Sequence, residues 1–179
     1  MEYTTKRLLL KVLDSSYHPL VVRYYLKNRE FLEPWEPIKP AFFYDPIYQK
    51  NLLTWEYKDI VAKKLLRLWI FKKDKPNKII GTLSFNNIVQ GFLLSCELGY
   101  KLDCNELNNG YMTEAIQKGI SIIFDEYKLH RIEANIMPNN IPSLNVIKKL
   151  GFEEEGISRK YIQINGKWED HKRFSLINE

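Results

Sequence analysis

A chain of 179 residues is long enough for one domain with a substantial core. With 45% hydrophobic and 27% charged residues it is no disordered chain, and the lack of a long apolar run or leader-like N-terminus argues against a membrane span and predicts a cytoplasmic protein. The formal net charge of +5 suits either an anionic small molecule, a nucleic-acid-bearing partner, or simply a solvated basic surface.

No repeat, low-complexity tract or linker interrupts residues 1–179, so a single domain is expected. The run from Lys6 to Leu13 reads as a first strand, and Ser15 or Ser16 as the cap of a helix ending near Asn28. The stretch Phe31-Leu32-Glu33-Pro34-Trp35-Glu36-Pro37-Ile38-Lys39-Pro40 reads as an irregular loop, since its prolines oppose regular structure. It carries large apolar groups that need burial, and loops of this kind often cover a site. A helix is expected from Pro46 to Val61, followed by strands at Leu66–Lys72, Ile79–Ile88 and Ser95–Leu102, with a turn at Asp74-Lys75-Pro76-Asn77.

Apolar positions Met112, Ala115, Ile116, Ile120, Ile123 and Tyr127 recur near the helical period, predicting a long amphipathic helix from Tyr111 to about Tyr127. Arg131–Met137 reads as a strand and Ser143–Leu150 as a short helix stopped by Gly151. The last two strands, near Ser158–Ile164 and Trp168–Leu176, flank Asn165-Gly166, a pair that accepts the positive φ of a two-residue hairpin turn. This order predicts a mixed α/β sheet with helices on both faces.

The segment Asn108-Asn109-Gly110-Tyr111-Met112-Thr113 carries the most chemistry. A strand, a turn tolerant of positive φ and a helix start aim unpaired backbone N–H groups at one spot, which suits a phosphate or pyrophosphate; such a turn can also serve only to reverse the chain. A second helix start follows at Pro138-Asn139-Asn140-Ile141-Pro142-Ser143. Cys96 lies in a strand pattern and reads as a small core residue, Cys104 has no metal-ligand spacing, and His171 has no Cys or His at ligand distance, so no metal site is expected.

At these residues the chain resembles the GNAT acetyltransferases, and within them the RimJ/RimL group that acetylates the N-terminal residue of ribosomal proteins, the RimJ type most of all. The resemblance rests on Pro34-Trp35-Glu36-Pro37, Leu98-Gly99-Tyr100, His130-Arg131-Ile132, Met137-Pro138 with Asn140, Leu150-Gly151-Phe152-Glu153, and Gly166, Trp168 and Asp170-His171. It implies the GNAT fold: a mostly antiparallel, splayed sheet of about seven strands flanked by about four helices. It also implies acetyl-CoA as cosubstrate, no metal, and direct attack in a ternary complex. Cofactor contacts are implied at Gly99, Tyr100, Leu102, Leu107, Asn108, Asn109, Gly110, Tyr111, Met112, Thr113 and Asn140. The family's pyrophosphate loop reads Gln/Arg-x-x-Gly-x-Gly/Ala. Here Leu107 stands at its polar position and Asn108-Asn109 replace a Gly-Lys pair, which predicts weakened but surviving coenzyme binding.

Acetyl transfer to an amine needs the amine neutral. An α-amino group with a pKa of ~8 costs roughly 1.4 kcal/mol to deprotonate at pH 7, and a lysine at ~10.4 about 4.6 kcal/mol, so an N-terminal acceptor asks less of a base. Glu97, on the strand face opposite Cys96, Leu98 and Tyr100, is the candidate base, acting directly or through a water. The resemblance proposes Ser143 near the departing thiolate, although Asn140 and Ser143 also fit a helix cap and its first turn. Ile147 stands where many GNAT enzymes carry an acidic tyrosine. An oxyanion donor is implied on the Gly99–Leu102 segment, at a bulge that Gly99 would permit. Trp35 and Glu36 are the candidate acceptor-side residues, with core and loop roles as the alternatives. The expected partners are acetyl-CoA and a protein N-terminus, with ribosome association and oligomer formation left open. Polyamine or aminoglycoside acetylation, and a ribosome-associated binding or assembly protein with weak catalysis, are the alternatives.

Overall fold

The computed structural model describes every residue from Met1 to Glu179. The chain opens with a small hairpin of β1 (Glu2–Thr4) and β2 (Leu8–Lys11). The expected single strand from Lys6 is therefore shorter, with Lys6 and Arg7 in the hairpin turn. Thr5 sets that turn: its N–H donates to the Leu8 carbonyl at 3.1 Å, and its hydroxyl accepts the Leu8 N–H at 3.0 Å. A 3-10 turn over Ser15–Tyr17 leads into α1 (His18–Lys27). The cap belongs to Asp14, which accepts the Ser16 N–H at 2.8 Å, not to either serine.

The short α2 (Arg29–Leu32) was not expected, and the Pro-rich run that follows is less irregular than its composition suggests. It coils through 3-10 turns at Glu33–Trp35 and Ala41–Tyr44, because proline's fixed φ suits the start of such turns. Asp45 then caps α3 (Pro46–Val61) through the Ile47 and Tyr48 amides. Next come β3 (Leu66–Lys72), β4 (Lys75–Val89) and β5 (Ser95–Leu102). Lys72 faces Lys75, so the β3–β4 turn is Lys73-Asp74 alone and β4 starts earlier than expected. The chain ends with α4 (Tyr111–Asp125), β6 (Arg131–Ile136), α5 (Ile141–Lys149), β7 (Glu153–Ile164) and β8 (Lys167–Ile177).

The eight strands form one open sheet in the order β1-β2-β3-β4-β5-β6-β8-β7, and five α-helices flank it. β1 and α2 are the elements beyond the expected set. All neighbouring strands are antiparallel except β5 and β6.

Side-chain alternation divides the core. Leu68 and Ile70 of β3 join Leu83, Phe85, Ile116, Ile123, Ile132 and Ile147 beneath α4 and α5. Trp69 and Phe71 point the other way and pack with Val21, Tyr24, Tyr25 and Leu53 beneath α1 and α3. Gly119 brings α4 unusually close to the sheet, since a Cβ there would stand 2.8 Å from both Leu83 Cδ1 and Phe85 Cε2.

Candidate active site

The site is made by a failure of pairing. β5 and β6 run parallel and pair only at Ser95 with Arg131, Cys96 with Ile132 and Glu97 with Glu133. Beyond Glu97 the two strands part, although β5 continues to Leu102 and β6 to Ile136. Backbone groups of Leu98–Leu102 that would bond to a neighbouring strand face an open crevice instead. The expected bulge over Gly99–Leu102 is absent: β5 pairs without a break against β4 from Leu102 to Glu97. The irregularity lies on β4 between Asn86 and Val89, where Asn87 has a φ of 50°. Splaying alone exposes the β5 edge, so no bulge is needed to present a donor.

One end of the crevice meets the start of α4. Asn108 and Gly110 both lie in the left-handed region, with φ of 60° and 74°. Gly110 is the cap residue and no side chain bonds the helix start; the first helical bond runs from the Glu114 N–H to the Gly110 carbonyl at 3.1 Å. The Tyr111, Met112 and Thr113 amides precede it, so the turn offers a cradle of donors and the positive end of a helix dipole. That arrangement fits a pyrophosphate. The Asn109 side chain laces the loop by donating to the Leu107 carbonyl at 3.0 Å and the Glu106 carbonyl at 3.3 Å. Leu107 lies on the surface, while the Met112 side chain is buried in the core and leaves only its amide to the turn.

The α5 side of the crevice is tied to β5. The Tyr100 hydroxyl donates to the Ser143 carbonyl at 3.0 Å, and burial holds that phenol well above its usual pKa. Asn140 caps α5, its Oδ1 accepting the Ser143 N–H at 3.3 Å, so both residues lie at the crevice wall. Ile147 is fully buried in the core. Leu102 ends β5 opposite Gly81, half-buried.

Glu97 lies at the point of divergence, between Asn86 of β4 and Glu133 of β6. Glu133 is neutralised by Arg131 at 2.7 Å, with Arg173 at 3.9 Å. No hydrogen bond or ion pair engages the Glu97 carboxylate, and it is half-buried. Beside it, the Asn86 amide donates to Ser84 Oγ at 3.0 Å, and Gly99 opposite Ser84 leaves the floor open. The Cys96 thiol is pushed up to about 12, first by burial and then by the Glu97 and Glu133 charges, so it is no nucleophile.

Within the Pro-rich segment Trp35 ends the Glu33–Trp35 turn, half-buried, and Glu36 meets Lys101 on the Glu97 face of β5, so Glu36 is not a free carboxylate. It takes the ammonium groups of both Lys39 and Lys101. Burial would raise its pKa, but the two lysines outweigh burial and hold it below the usual carboxylate range. For Lys101 burial wins over the Glu36 charge and lowers the ammonium pKa. A second buried pair, Arg67 with Glu56 at 2.8 Å, lies nearby on β3 and α3. The Asn165-Gly166 hairpin tip has both residues at positive φ, and closes on this segment: the Asn165 N–H donates to the Glu36 carbonyl at 2.9 Å.

One group was missed by sequence reasoning, and a second, His171, was named there only within the resemblance and for its lack of metal-ligand spacing. Arg7 reaches the Asn109 carbonyl and the Glu114 carboxylate, a contact across more than half the chain with no local signal. His171 is buried on the Glu97 side of β8, its Nδ1 3.0 Å from the Glu169 carbonyl. Its signal was the Trp168-x-Asp170-His171 pattern.

A splayed sheet edge beside an uncapped helix start, with an unpaired carboxylate at the point of divergence, is an arrangement suited to acyl transfer from a pyrophosphate-bearing carrier. The Acetyltransferase (GNAT) domain family matches residues 7–153, and the chain belongs to it. It is 39% identical to the probable N-acetyltransferase YjcK of Bacillus subtilis (strain 168) over 153 residues, 85% of this chain and 83% of that one. It is 33% identical to the [ribosomal protein uS5]-alanine N-acetyltransferase of Escherichia coli (strain K12) over 168 residues, 94% of this chain and 86% of that one. The crystal structure of a ribosomal-protein-S5-alanine acetyltransferase from Vibrio fischeri superposes with a TM-score of 0.95 at 32% identity, covering 100% of this chain and 97% of that chain. The protein is thus an acetyl-CoA-dependent acetyltransferase of the RimJ/RimL type.

Proposed function

We propose that the protein acetylates the α-amino group of a protein N-terminus, that of a ribosomal protein, by direct attack in a ternary complex. The observation that carries this is the three-residue pairing of β5 with β6 followed by divergence, with Glu97 at the fork. Acetyl-CoA supplies the thioester carbonyl that the amine attacks. The amides of residues 110–113 hold the pyrophosphate, with Asn108, Asn109 and Asn140 shaping the mouth and Leu107 and Leu102 bordering it. Gly99 and Tyr100 lie along the open β5 edge, whose N–H groups receive the charge that develops on the carbonyl oxygen.

Glu97 takes the proton released as the amine nitrogen forms its new bond to carbon. The carbon–sulfur bond breaks in the same reaction, and the Ser143 hydroxyl at the start of α5 relays a proton from water to the departing sulfur, regaining from the water the proton it gives up. Trp35 borders the acceptor channel. Glu36 shapes it, with both oxygens taken by lysines.

The acceptor side also bears on substrate charge. Lys39, Lys101 and Arg67 are matched there by Glu36, Glu56 and Glu97, so the acceptor side has no acidic surplus of the kind a polyamine or an aminoglycoside would need. The identity to the uS5-alanine enzyme over nearly the whole chain favours a peptide beginning with alanine. A thiol-release assay with acetyl-CoA and a panel of Ala-starting peptides, polyamines and aminoglycosides tests this. Turnover confined to the peptides is the expected result, and preferential turnover of polycations would overturn it.

A further inference from the structure

We infer that Arg7 is a positioning residue for coenzyme binding: it anchors the outer side of the pyrophosphate turn and so aims the Gly110 amide into the crevice. The inference rests on the acetyl-CoA reading of that turn. Arg7 lies in the β1–β2 turn, at the opposite flank of α4 from the β5–β6 crevice. Its Nη1 donates to the Asn109 carbonyl at 2.9 Å. Its Nε and its backbone N–H donate to the two oxygens of Glu114 at 2.6 and 2.8 Å. Thr5 Oγ1 donates to the same carboxylate at 2.6 Å, and the Arg7 guanidinium lies 4.6 Å from the Tyr111 ring centroid. The Glu114 carboxyl is accordingly held low: burial would raise its pKa, but the Thr5 and Arg7 hydrogen bonds outweigh burial.

The consequence follows from peptide geometry. In a trans peptide the carbonyl of one residue and the N–H of the next point in opposite directions. Drawing the Asn109 carbonyl toward the β1–β2 turn therefore turns the Gly110 N–H away from it, toward the β5–β6 side. Gly110 at a φ of 74° and Asn108 at 60° leave the loop free to swing unless something fixes it. The loop has Asn108-Asn109 where the family places a Gly-Lys pair, and the one cation bonded to its backbone is Arg7. A guanidinium can hold a carboxylate and a carbonyl at once in a fixed fork, which a lysine ammonium cannot match.

Arg7→Gln and Arg7→Lys test the inference, with CoA affinity measured by calorimetry, kinetics taken at saturating acceptor, and the Gly110 amide followed by 15N NMR in the coenzyme-free protein. Both variants should weaken CoA roughly tenfold, the low end for a charged hydrogen bond on a partly exposed side chain. The loss should appear in the KM for acetyl-CoA rather than in kcat, and the Gly110 resonance should move in both free variants. Wild-type affinity in Arg7→Lys beside a loss in Arg7→Gln would replace positioning with simple charge attraction, and overturn the inference. So would an unmoved Gly110 amide in both. Should Arg7→Gln not fold, Glu114→Gln loosens the same anchor and must move the Gly110 resonance and weaken CoA. A wild-type protein that binds no CoA would instead remove the acetyl-CoA reading, whatever the amide does.

Discussion

Replacing Glu97 with glutamine separates chemistry from folding. The Glu97 carboxylate makes no hydrogen bond or ion pair, and its neighbour across the strand pair is another glutamate. Removing its charge strands no partner, and Glu133 is already paired with Arg131, so stability should change by no more than about 0.5 kcal/mol. Activity should fall at pH 7. A positioned base typically contributes ~10²-fold or more. About tenfold of that is the share of an α-amine, pKa ~8, that must be deprotonated at pH 7. The deficit in kcat/KM should therefore be largest at pH 7 and narrow by about tenfold near pH 9, where the amine is neutral without help. Glu133→Gln is the contrast, because Glu133 already pairs with Arg131; it should lower the melting temperature more than the rate. A Glu97→Gln enzyme that loses less than about tenfold at pH 7, or a deficit independent of pH, would refute the base role.

Glu36→Gln should destabilise the fold by about 3 kcal/mol, because it leaves Lys39 and Lys101 without their buried carboxylate. The Glu36 pKa is depressed in the folded state, so its contribution is present above the ordinary carboxylate pKa and vanishes as pH falls through the lower folded value. Urea titrations from pH 7 downward should show the variant's deficit shrinking below about pH 4, and a constant deficit would contradict the pairing. Gly119→Ala should destabilise by about 1–3 kcal/mol through overpacking against Leu83 and Phe85, less up to ~1 kcal/mol of helix propensity. A raised melting temperature would show that α4 can lift without loss.

What was legible in the sequence was mostly local. Asn165-Gly166 marked its hairpin because each residue accepts positive φ by itself, and Gly110 marked the start of α4 for the same reason. The helical period from Met112 to Ile123 revealed α4 because one buried stripe is written into the residues themselves. The splay was reached through family resemblance alone. No local feature announces that β5 leaves β6 after Glu97, because the pairing joins strands more than thirty residues apart in the chain. The bulge expected near Gly99 failed for a related reason: a permissive residue allows an irregularity without requiring one. Arg7 and the Lys101–Glu36 pair were out of reach, since each joins residues far apart in the chain. β1 has only three residues, too few for any periodicity to register.

The most direct test is acetyl transfer itself: purified protein, acetyl-CoA and an alanine-starting peptide, with mass spectrometry of the peptide and detection of released thiol. The predicted result is one acetyl group on the peptide's α-amine, one thiol released per acetylation, and no acetylated enzyme. An acetyl group found on the protein's own side chains before transfer, or no modification of any peptide N-terminus despite saturating coenzyme, would contradict it.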